Sequence, residues 1–542
     1  VGTATPALDG SASSRSPIED HAASLPPARR RALGSHATPP PLARTLVALA
    51  LEHLGRTPDL VVDPACGAGS FLLAAADALV RRGVPPAEVV RDRVVGCDVD
   101  PLAIAHGREA LRRWADEHGV RGPVEPRLLE LDPLLAPTPF SGHADLVVGN
   151  PPFLAQRTAD TARGADRRSA LRARLGDLGP YVDDAAAFLL VGVEQLAPGG
   201  VSLMIQPQSV LSARDGTAVR AQLAERCSLV ALWCDDARHF DADVDVCAPV
   251  VRRGPGDAPE VELRWGADAS RVGTAAAPSP ASWGPLLAAA TGTPGAVGPS
   301  RAGGRTVGDV ATATAGFRDE FYALAAAARV EGETGWDPSG PRLVTVGMID
   351  VARLDEHSPR RLGGRRVVAP RLDVAALAAE APRVSGWVDA RSVPKVLVAT
   401  QTKVPEAVAD PDGDLVPVTP VVSVEPRSDV DVWHLLAALS APTVAAAVAG
   451  SHAGSGLSLG AVRLSAASVR ALPLPTDPGA WSEGAAIARS LQADPGPGRA
   501  ALLGRLGEVM VRAHGAPADE ALLRWWTERA DRSSGRTGDE RA

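Results

Sequence analysis

Lysine is almost missing from this 542-residue chain: it occurs at Lys395 and Lys403 and nowhere else, so positive charge rests on arginine. A common nuclease signature needs a lysine two residues after an acid. Val393 and Gln401 stand at those positions, so the signature is absent and an endonuclease of that kind is expected on another chain. Cysteine is scarce too. Cys66, Cys97, Cys227, Cys234 and Cys247 form no Cys-x-x-Cys pair, which excludes a disulfide framework and a zinc ribbon, leaves no expected metal site, and fits a reduced, cytoplasmic protein. No run is long and apolar enough to span a bilayer, and no basic-then-apolar leader pattern is expected at the start. The net charge of −8 counts against a protein that coats nucleic acid. It does not count against a local basic cleft, because phosphate contacts answer to the local field.

What is present is enough apolar material for cores. Hydrophobic residues make up 45% of a length that accommodates two or three domains. The chain turns on residues 144–153, Ala-Asp-Leu-Val-Val-Gly-Asn-Pro-Pro-Phe. Leu146 to Val148 is the short apolar run of a buried parallel strand, and Gly149 ends it. Asn150-Pro151-Pro152-Phe153 follows where an open α/β sheet binds its ligands, beyond the carboxyl end of a strand. The prolines fix φ and bias Asn150 away from the helical region. The loop then presents a carboxamide, the carbonyl of Pro151 and an aromatic face, a set that suits a planar amine on an aromatic ring. Two acceptors pulling on the NH2 protons return electron density to nitrogen, while Phe153 stacks on the ring. The plainer reading is an Asn-Pro turn leaving a strand, and the upstream motifs decide between them.

A first strand, 60–63, ends at Asp63 and turns through Pro64-Ala65-Cys66-Gly67-Ala68-Gly69-Ser70-Phe71 into a helix. Glycines at a strand-to-helix turn let backbone amides approach a ligand in front of a positive helix end. A lone Gly-x-Gly is weak; Asp63 before it and Phe71 opening the helix make it specific. The second strand, 94–98, ends at Asp98, an acid placed for both ribose hydroxyls of a nucleotide-like ligand. Asp100, before Pro101, is assigned to capping the next helix. A third strand, 128–132, puts Asp132 on the same sheet edge, and the fourth delivers Asn150. Upstream, Thr38 precedes Pro39-Pro40-Pro41 and a helix over 42–54, which it is placed to cap. Strands at 201–206, 229–233 and 246–251 complete about seven in an alternating βα pattern, hence a mostly parallel sheet.

The domain expectation is a disordered segment 1–27, a catalytic domain 28–266, an Ala/Gly/Pro-rich linker 267–304, a second module 305–475 and a helical extension with a polar tail, 476–542. In the second module Arg360, Arg361, Arg365, Arg366 and Arg371 fall close together with no acid among them, around Gly363-Gly364, and both lysines flank an expected strand. A solvated surface explains any one of them. As a group, in an acidic protein, they are read as DNA-facing, with Arg360, Arg361, Arg365, Arg366, Lys395 and Lys403 as the contacts.

With Ala37-Thr38-Pro39-Pro40, the Asp63–Phe71 stretch, Gly96-Cys97-Asp98-Val99-Asp100-Pro101 and Gly149-Asn150-Pro151-Pro152-Phe153 in this order, the chain resembles the N6-adenine DNA methyltransferases of restriction-modification systems. The order is similar to the gamma arrangement, with the target-recognition domain last. The resemblance covers residues 30–255 and extends loosely to 475. It implies an α/β, class I S-adenosylmethionine-dependent methyltransferase fold (Rossmann-like, seven-stranded) plus a C-terminal α+β target-recognition domain. It further implies S-adenosylmethionine as cofactor: Thr38 and Asp63 at its methionine end, Gly67, Gly69 and Phe71 in the loop beside it, Asp98 at its ribose and Asp132 at its adenine amine. Asn150, Pro151, Pro152 and Phe153 become the catalytic loop, and Phe240, in Arg238-His239-Phe240, matches loosely a second aromatic wall on the target base. Double-stranded DNA is the implied partner, and a separate restriction endonuclease or defence-system subunit a further one. An adenine amine is out of reach inside a duplex, so the base must be flipped out at a cost of a few kcal/mol, of which stacking on Phe153 returns about 1–3 kcal/mol. The same loop also serves methyltransferases acting on RNA bases or a protein glutamine, and more than two hundred residues beyond the catalytic domain favour DNA over these. A binding protein that has lost activity is the remaining alternative.

Overall fold

A computed structural model describes residues 38–153, 165–179, 182–240, 244–254, 259–294, 304–427, 430–456, 461–494, 496 and 498–531. The expected disordered segment 1–27 and the tail beyond 531 lie outside the described residues. The chain divides into two compact units, Val1–Ala281 and Ser282–Ala542.

The first unit is built on strands β1 (Val61–Asp63), β2 (Val94–Asp98), β3 (Arg127–Glu130), β4 (Ala144–Gly149), β5 (Leu196–Met204), β6 (Gln206–Pro207), β7 (Cys227–Cys234), β8 (Val246–Arg253), β9 (Glu260–Trp265) and β10 (Ser270–Ala276). They form one ten-stranded sheet in the order β10-β9-β7-β8-β5-β4-β1-β2-β3, with β6 paired to β8. The pairs β3–β2–β1–β4–β5 are parallel, while β8 runs antiparallel to β5 and β7. From β1 the chain builds outward to β2 and β3 on one side and to β4 and β5 on the other. The crevice between β1 and β4 is therefore the topological switch point, where such sheets bind ligands.

Both central strands are buried throughout, which is why they read as unbroken apolar runs. The pleat sends alternate residues to opposite faces. Leu146 and Val148 join a core with Leu46 of helix α1 (Pro40–Leu54), Leu72 of α2 (Ser70–Arg81) and Leu111 of α3 (Pro101–Glu117). Two further helices, α4 (Ala165–Leu175) and α5 (Asp184–Gln195), follow β4. Val147 meets α5 on the other face: a Cβ added at Gly192 would lie 3.5 Å from Val147 and 2.1 Å from Met204. Asp145, at the start of β4, accepts from Arg56 and from the Asp59 and Leu60 amides (2.6 and 3.2 Å), tying the entry of β1 to its neighbour.

Two expectations are corrected here. The sheet has ten strands where about seven were expected, because β6, β9 and β10 escape the βα pattern. The linker 267–304 is not a linker over much of its length: β10 pairs with β9, and Gly284–Ala290 is a helix of the second unit. β10 reads as linker because its residues are largely exposed and show no apolar face; backbone pairing to β9 makes it a strand.

In the second unit, β11 (Ala311–Ala315) belongs to a four-stranded antiparallel sheet, and a short hairpin pairs β12 (Arg360–Leu362) with β13 (Arg365–Val367). The same four-stranded sheet continues with β14 (Lys395–Ala399), β15 (Glu406–Asp410) and β16 (Val422–Pro426). Helices Val432–Leu439, Pro442–His452, Pro478–Ala493, Arg499–Ala513 and Glu520–Ala530 share a core with this sheet, and a second four-stranded sheet and further helices also belong to the unit. Val396 and Val398 share one core with Leu435, Leu436, Leu503 and Trp526. Residues from 478 to 530 are thus part of the second unit's core rather than an appended extension. No single helix among the described residues is long and apolar enough to cross a membrane.

Lys395 is also corrected. It is fully buried and ion-paired with Asp410, whose carboxylate further accepts the Gly413, Asp414 and Leu415 amides at 3.0, 3.2 and 3.0 Å. A buried ammonium needs such a partner, and removing it would leave a charge uncompensated. The residue is structural and does not reach DNA. Lys403 is exposed.

Candidate active site

The carboxyl ends of β1 and β4 bring Asp63 and Gly149 into contact. A Cβ at Gly149 would lie 2.6 Å from Asp63 Oδ1, so only glycine admits the carboxylate there. Asp63 is 1% exposed and accepts the Ala65 amide at 3.0 Å. Burial, opposed by that amide and reinforced by nearby Asp98, pushes its carboxyl up to about 8.

Next to it, Asn150 Nδ2 donates to Thr38 Oγ1 at 3.1 Å, across more than a hundred residues of sequence. Thr38 is not the helix cap expected of it. Pro39 occupies the N-cap position of α1 without a side-chain bond, and Thr38, 4% exposed, is turned to Asn150 instead. With its nitrogen committed to Thr38, the carboxamide has its oxygen as the end able to accept from an amine.

The glycine loop follows β1. Gly67 and Gly69 hold φ of 51° and 93°, left-handed values that favour glycine. A Cβ at Gly67 would find nothing within 4 Å, so the loop borders open space. Gly67 N donates to Asp98 Oδ2 at 2.8 Å and Asp100 N to Asp98 Oδ1 at 2.9 Å. Burial raises the Asp98 carboxyl above its ordinary range while these amides oppose it. Each carboxylate oxygen has a second lone-pair site, so Asp98 retains accepting capacity toward a ligand. Asp100 caps α3 through Leu102 N at 3.1 Å, as expected of it.

Two expected ligand groups are engaged differently. Asp132 pairs with Arg167 of α4 at 2.6 Å and accepts the Leu134 amide at 3.0 Å. Each of its oxygens keeps a second lone-pair site, as at Asp98, but a guanidinium now stands beside them. Phe71 is 2% exposed within the core, so its side chain packs the start of α2 rather than facing a ligand.

Phe153 and Phe240, far apart in sequence, are neighbours, with ring centroids 6.3 Å apart and an interplanar angle of 85°. This is an edge-to-face contact. A base stacked between two walls needs parallel rings roughly 7 Å apart, twice a carbon contact distance, so the pair is assembled but not set as a sandwich. Sequence reasoning missed the support behind it: buried Asp235 accepts the Ala237 amide at 3.1 Å and bonds His239 at 2.7 Å, and the His239 ring is in contact with both Trp233 (5.9 Å) and Phe240 (6.4 Å). The spacing Asp235–His239 was the available signal.

In the second unit the arginines separate into two groups. Arg360 is held by Asp355 at 2.7 Å and the Gly347 carbonyl at 2.9 Å, Arg365 by Glu333, and Arg371 by the Gly340 carbonyl at 3.3 Å. These satisfy the protein first, and Arg360 keeps only 14% of its side chain exposed. Arg361 and Arg366 are exposed and directly opposite each other across the β12–β13 hairpin, whose turn is Gly363-Gly364.

Residues 24–234 match the family model of N-6 DNA methylase. The type IIL restriction-modification enzyme MmeI, solved in complex with DNA, is similar over 90% of this chain and 74% of its own, at 12% identity and a TM-score of 0.57. DrdV, in a DrdV–DNA complex, is similar over 88% of this chain and 59% of its own, at 12% identity and a TM-score of 0.51. The modification subunit of a putative type I restriction enzyme from Vibrio vulnificus YJ016 matches at 20% identity over 44% of this chain and 49% of that one, with a TM-score of 0.35, so the match spans about half of that subunit. The first unit therefore has a Rossmann-like mixed α/β sheet and carries a segment matching the N-6 DNA methylase family model, and β-rich sheets follow in the second unit.

Proposed function

We propose that this chain is a site-specific DNA adenine-N6 methyltransferase of the gamma arrangement, taking its methyl group from S-adenosylmethionine and acting on an adenine flipped out of double-stranded DNA. Its system would be restriction-modification or phage defence. The first unit would do the chemistry and the second would read the site. The observation that carries the proposal is the carboxamide of Asn150, anchored through Thr38 at the end of β4 and beside buried Asp63, with Phe153 and Phe240 together nearby. That MmeI and DrdV, similar in fold, were solved with DNA supports DNA as the partner.

The residues present fit the cofactor. Asp63 is a buried anion-former suited to an ammonium, the Gly67 loop borders open space, and Asp98 can accept from hydroxyls. Bound, S-adenosylmethionine supplies a methyl group on a positively charged sulfur. The protein's task is then alignment and activation. Asn150 Oδ1 and the Pro151 carbonyl would each accept a hydrogen bond from the amine, returning its lone pair from the ring to nitrogen and holding it in line for the transfer. The N–C bond would form as the sulfonium's C–S bond breaks, leaving a neutral thioether, and the methylated nitrogen would then lose its proton to solvent, so this chain needs no strong base.

The direct test is tritiated methyl transfer to DNA, RNA and protein offered separately, with the methylated product identified by mass. Label in DNA as N6-methyladenine is expected. Label confined to RNA or protein, or to another base, overturns the reading.

The hairpin arginines give a second expectation. Like charges directly opposite on adjacent strands cost roughly 0.2–1 kcal/mol, a cost that a polyanion lying across Arg361 and Arg366 would offset. Arg361→Glu with Arg366→Glu should weaken DNA binding most at low salt and flatten the slope of log affinity against log salt by about 2, with cofactor affinity unchanged. A double variant that keeps wild-type affinity and slope at both low and high salt removes this hairpin from the DNA surface.

A further inference from the structure

The chain has only seven phenylalanines and two tyrosines, yet Phe317, Phe321 and Tyr322 fall in one short stretch of the second unit. Two of them face solvent: Phe317 is 77% exposed and Tyr322 55%. A chain short of aromatics has no packing reason to place them outside.

The backbone carrying Phe317 is held from several sides. Its amide donates to Glu320 at 2.7 Å, its carbonyl accepts from Thr419 Oγ1 at 3.3 Å, and Glu320 is itself held by Arg383 at 3.1 Å. Gly316 sits so close to Thr419 and Trp387 that a Cβ there would lie 2.6 Å and 3.3 Å from them. Arg391 in turn lies over the Trp387 ring at 4.1 Å. The main chain is fixed and the ring it carries is sent into water.

The helix that follows, Arg318–Ala326, extends this face. Arg318, Tyr322 and Ala325 lie at helical spacing on one stripe. Arg318 covers the Tyr322 ring at 5.5 Å, and the stripe ends where Ala325 packs beneath the β12–β13 turn, 2.8 Å from a Cβ built on Gly363. An aromatic and cationic strip thus runs from Phe317 to the hairpin that presents Arg361 and Arg366. The acids along it are spoken for: Glu320 and Asp319 by Arg383 (3.1 and 3.5 Å), and Glu333 by Arg365.

We infer that this strip is a base-stacking element for DNA, with Phe317 as the ring that stacks on or wedges between bases and Tyr322–Arg318 as its flank, while the adjoining hairpin holds phosphate. The inference rests on the DNA reading above and adds a contact to bases rather than to backbone. Apolar rings inserted at base steps unstack and bend a duplex, and stacking is worth enough per base to be measured on its own.

The test is DNA binding by fluorescence anisotropy at low and high salt, with the full chain and its variants Phe317→Ala, Phe317→Trp and Tyr322→Ala. Phe317→Ala should lower affinity roughly five- to a hundredfold, with thermal stability and the salt slope unchanged, because no phosphate contact is lost. Phe317→Trp should restore most of it. Wild-type affinity in Phe317→Ala, or equal loss in the tryptophan variant, overturns the proposal. A change in self-association without any change in DNA binding also overturns it and assigns the strip to a protein partner. If the wild-type chain methylates DNA normally while Phe317→Ala is indistinguishable from it, this inference alone fails. If the wild-type chain neither binds nor methylates DNA, the DNA reading fails with it.

Discussion

Asn150→Ala should lower methyl transfer to DNA by at least about a hundredfold, roughly 2.7 kcal/mol of barrier, while leaving S-adenosylmethionine affinity nearly intact. Nδ2 of the amide donates to Thr38. That bond orients the group before substrate arrives, so little reorganisation is left for the transition state. Alanine removes the acceptor and its orientation together. Thr38→Val separates the two, since it keeps the carboxamide but removes its anchor, and it should give a smaller loss in the same assay. Single-turnover transfer at saturating cofactor is the measurement. A near wild-type rate in the alanine variant would show that Asn150 is only a turn residue, the plainer reading of an Asn-Pro string.

Asp63→Asn should have opposite effects on stability and on cofactor binding. Burial raises the Asp63 carboxyl from an unfolded value of 3.8 to about 8. Between those values the folded protein binds a proton that the unfolded chain has released, so stability declines as pH rises through that window and is highest below it. The asparagine variant lacks this slope. In the cofactor-free state its thermal midpoint should exceed that of the wild type near pH 8, and the difference should vanish near pH 4. Cofactor affinity runs the other way. An ammonium favours the ionised carboxylate, so wild-type affinity should improve by up to about tenfold per pH unit between about pH 6 and 7.5. The asparagine variant should bind the cofactor weakly and with no such dependence. Titration calorimetry and thermal melts across pH read both. Equal pH profiles for the two proteins would mean that Asp63 neither holds the proton nor meets the cation.

The extent to which these groups were legible depends on how local their signals are. The Gly67–Gly69 loop, the cap at Asp100 and the Asn150 loop each lie within one strand-turn unit, where φ restrictions and apolar runs act over a few residues. Their order along the chain placed them on one sheet edge, because parallel strands linked by helices bring successive carboxyl ends together. Thr38 was legible as a residue of interest but not for its actual bond. A helix-capping reading looks only a few residues ahead, and its partner Asn150 is 112 residues away.

Sequence by itself determined the α/β class, the central strands, the glycine loop and the amide-bearing loop, because burial on both faces and strained turns leave few residue types admissible. Only the tertiary structure decided that β10 is a strand, that Lys395 is buried against Asp410 while Arg361 and Arg366 face water, that Arg167 reaches Asp132, and that the helices from 478 to 530 close the second unit's core. In each of these cases the outcome depends on a partner distant in sequence. A charge carries the same letter whether it is solvated or paired, and a weakly apolar strand forms only when an edge is there to pair with it.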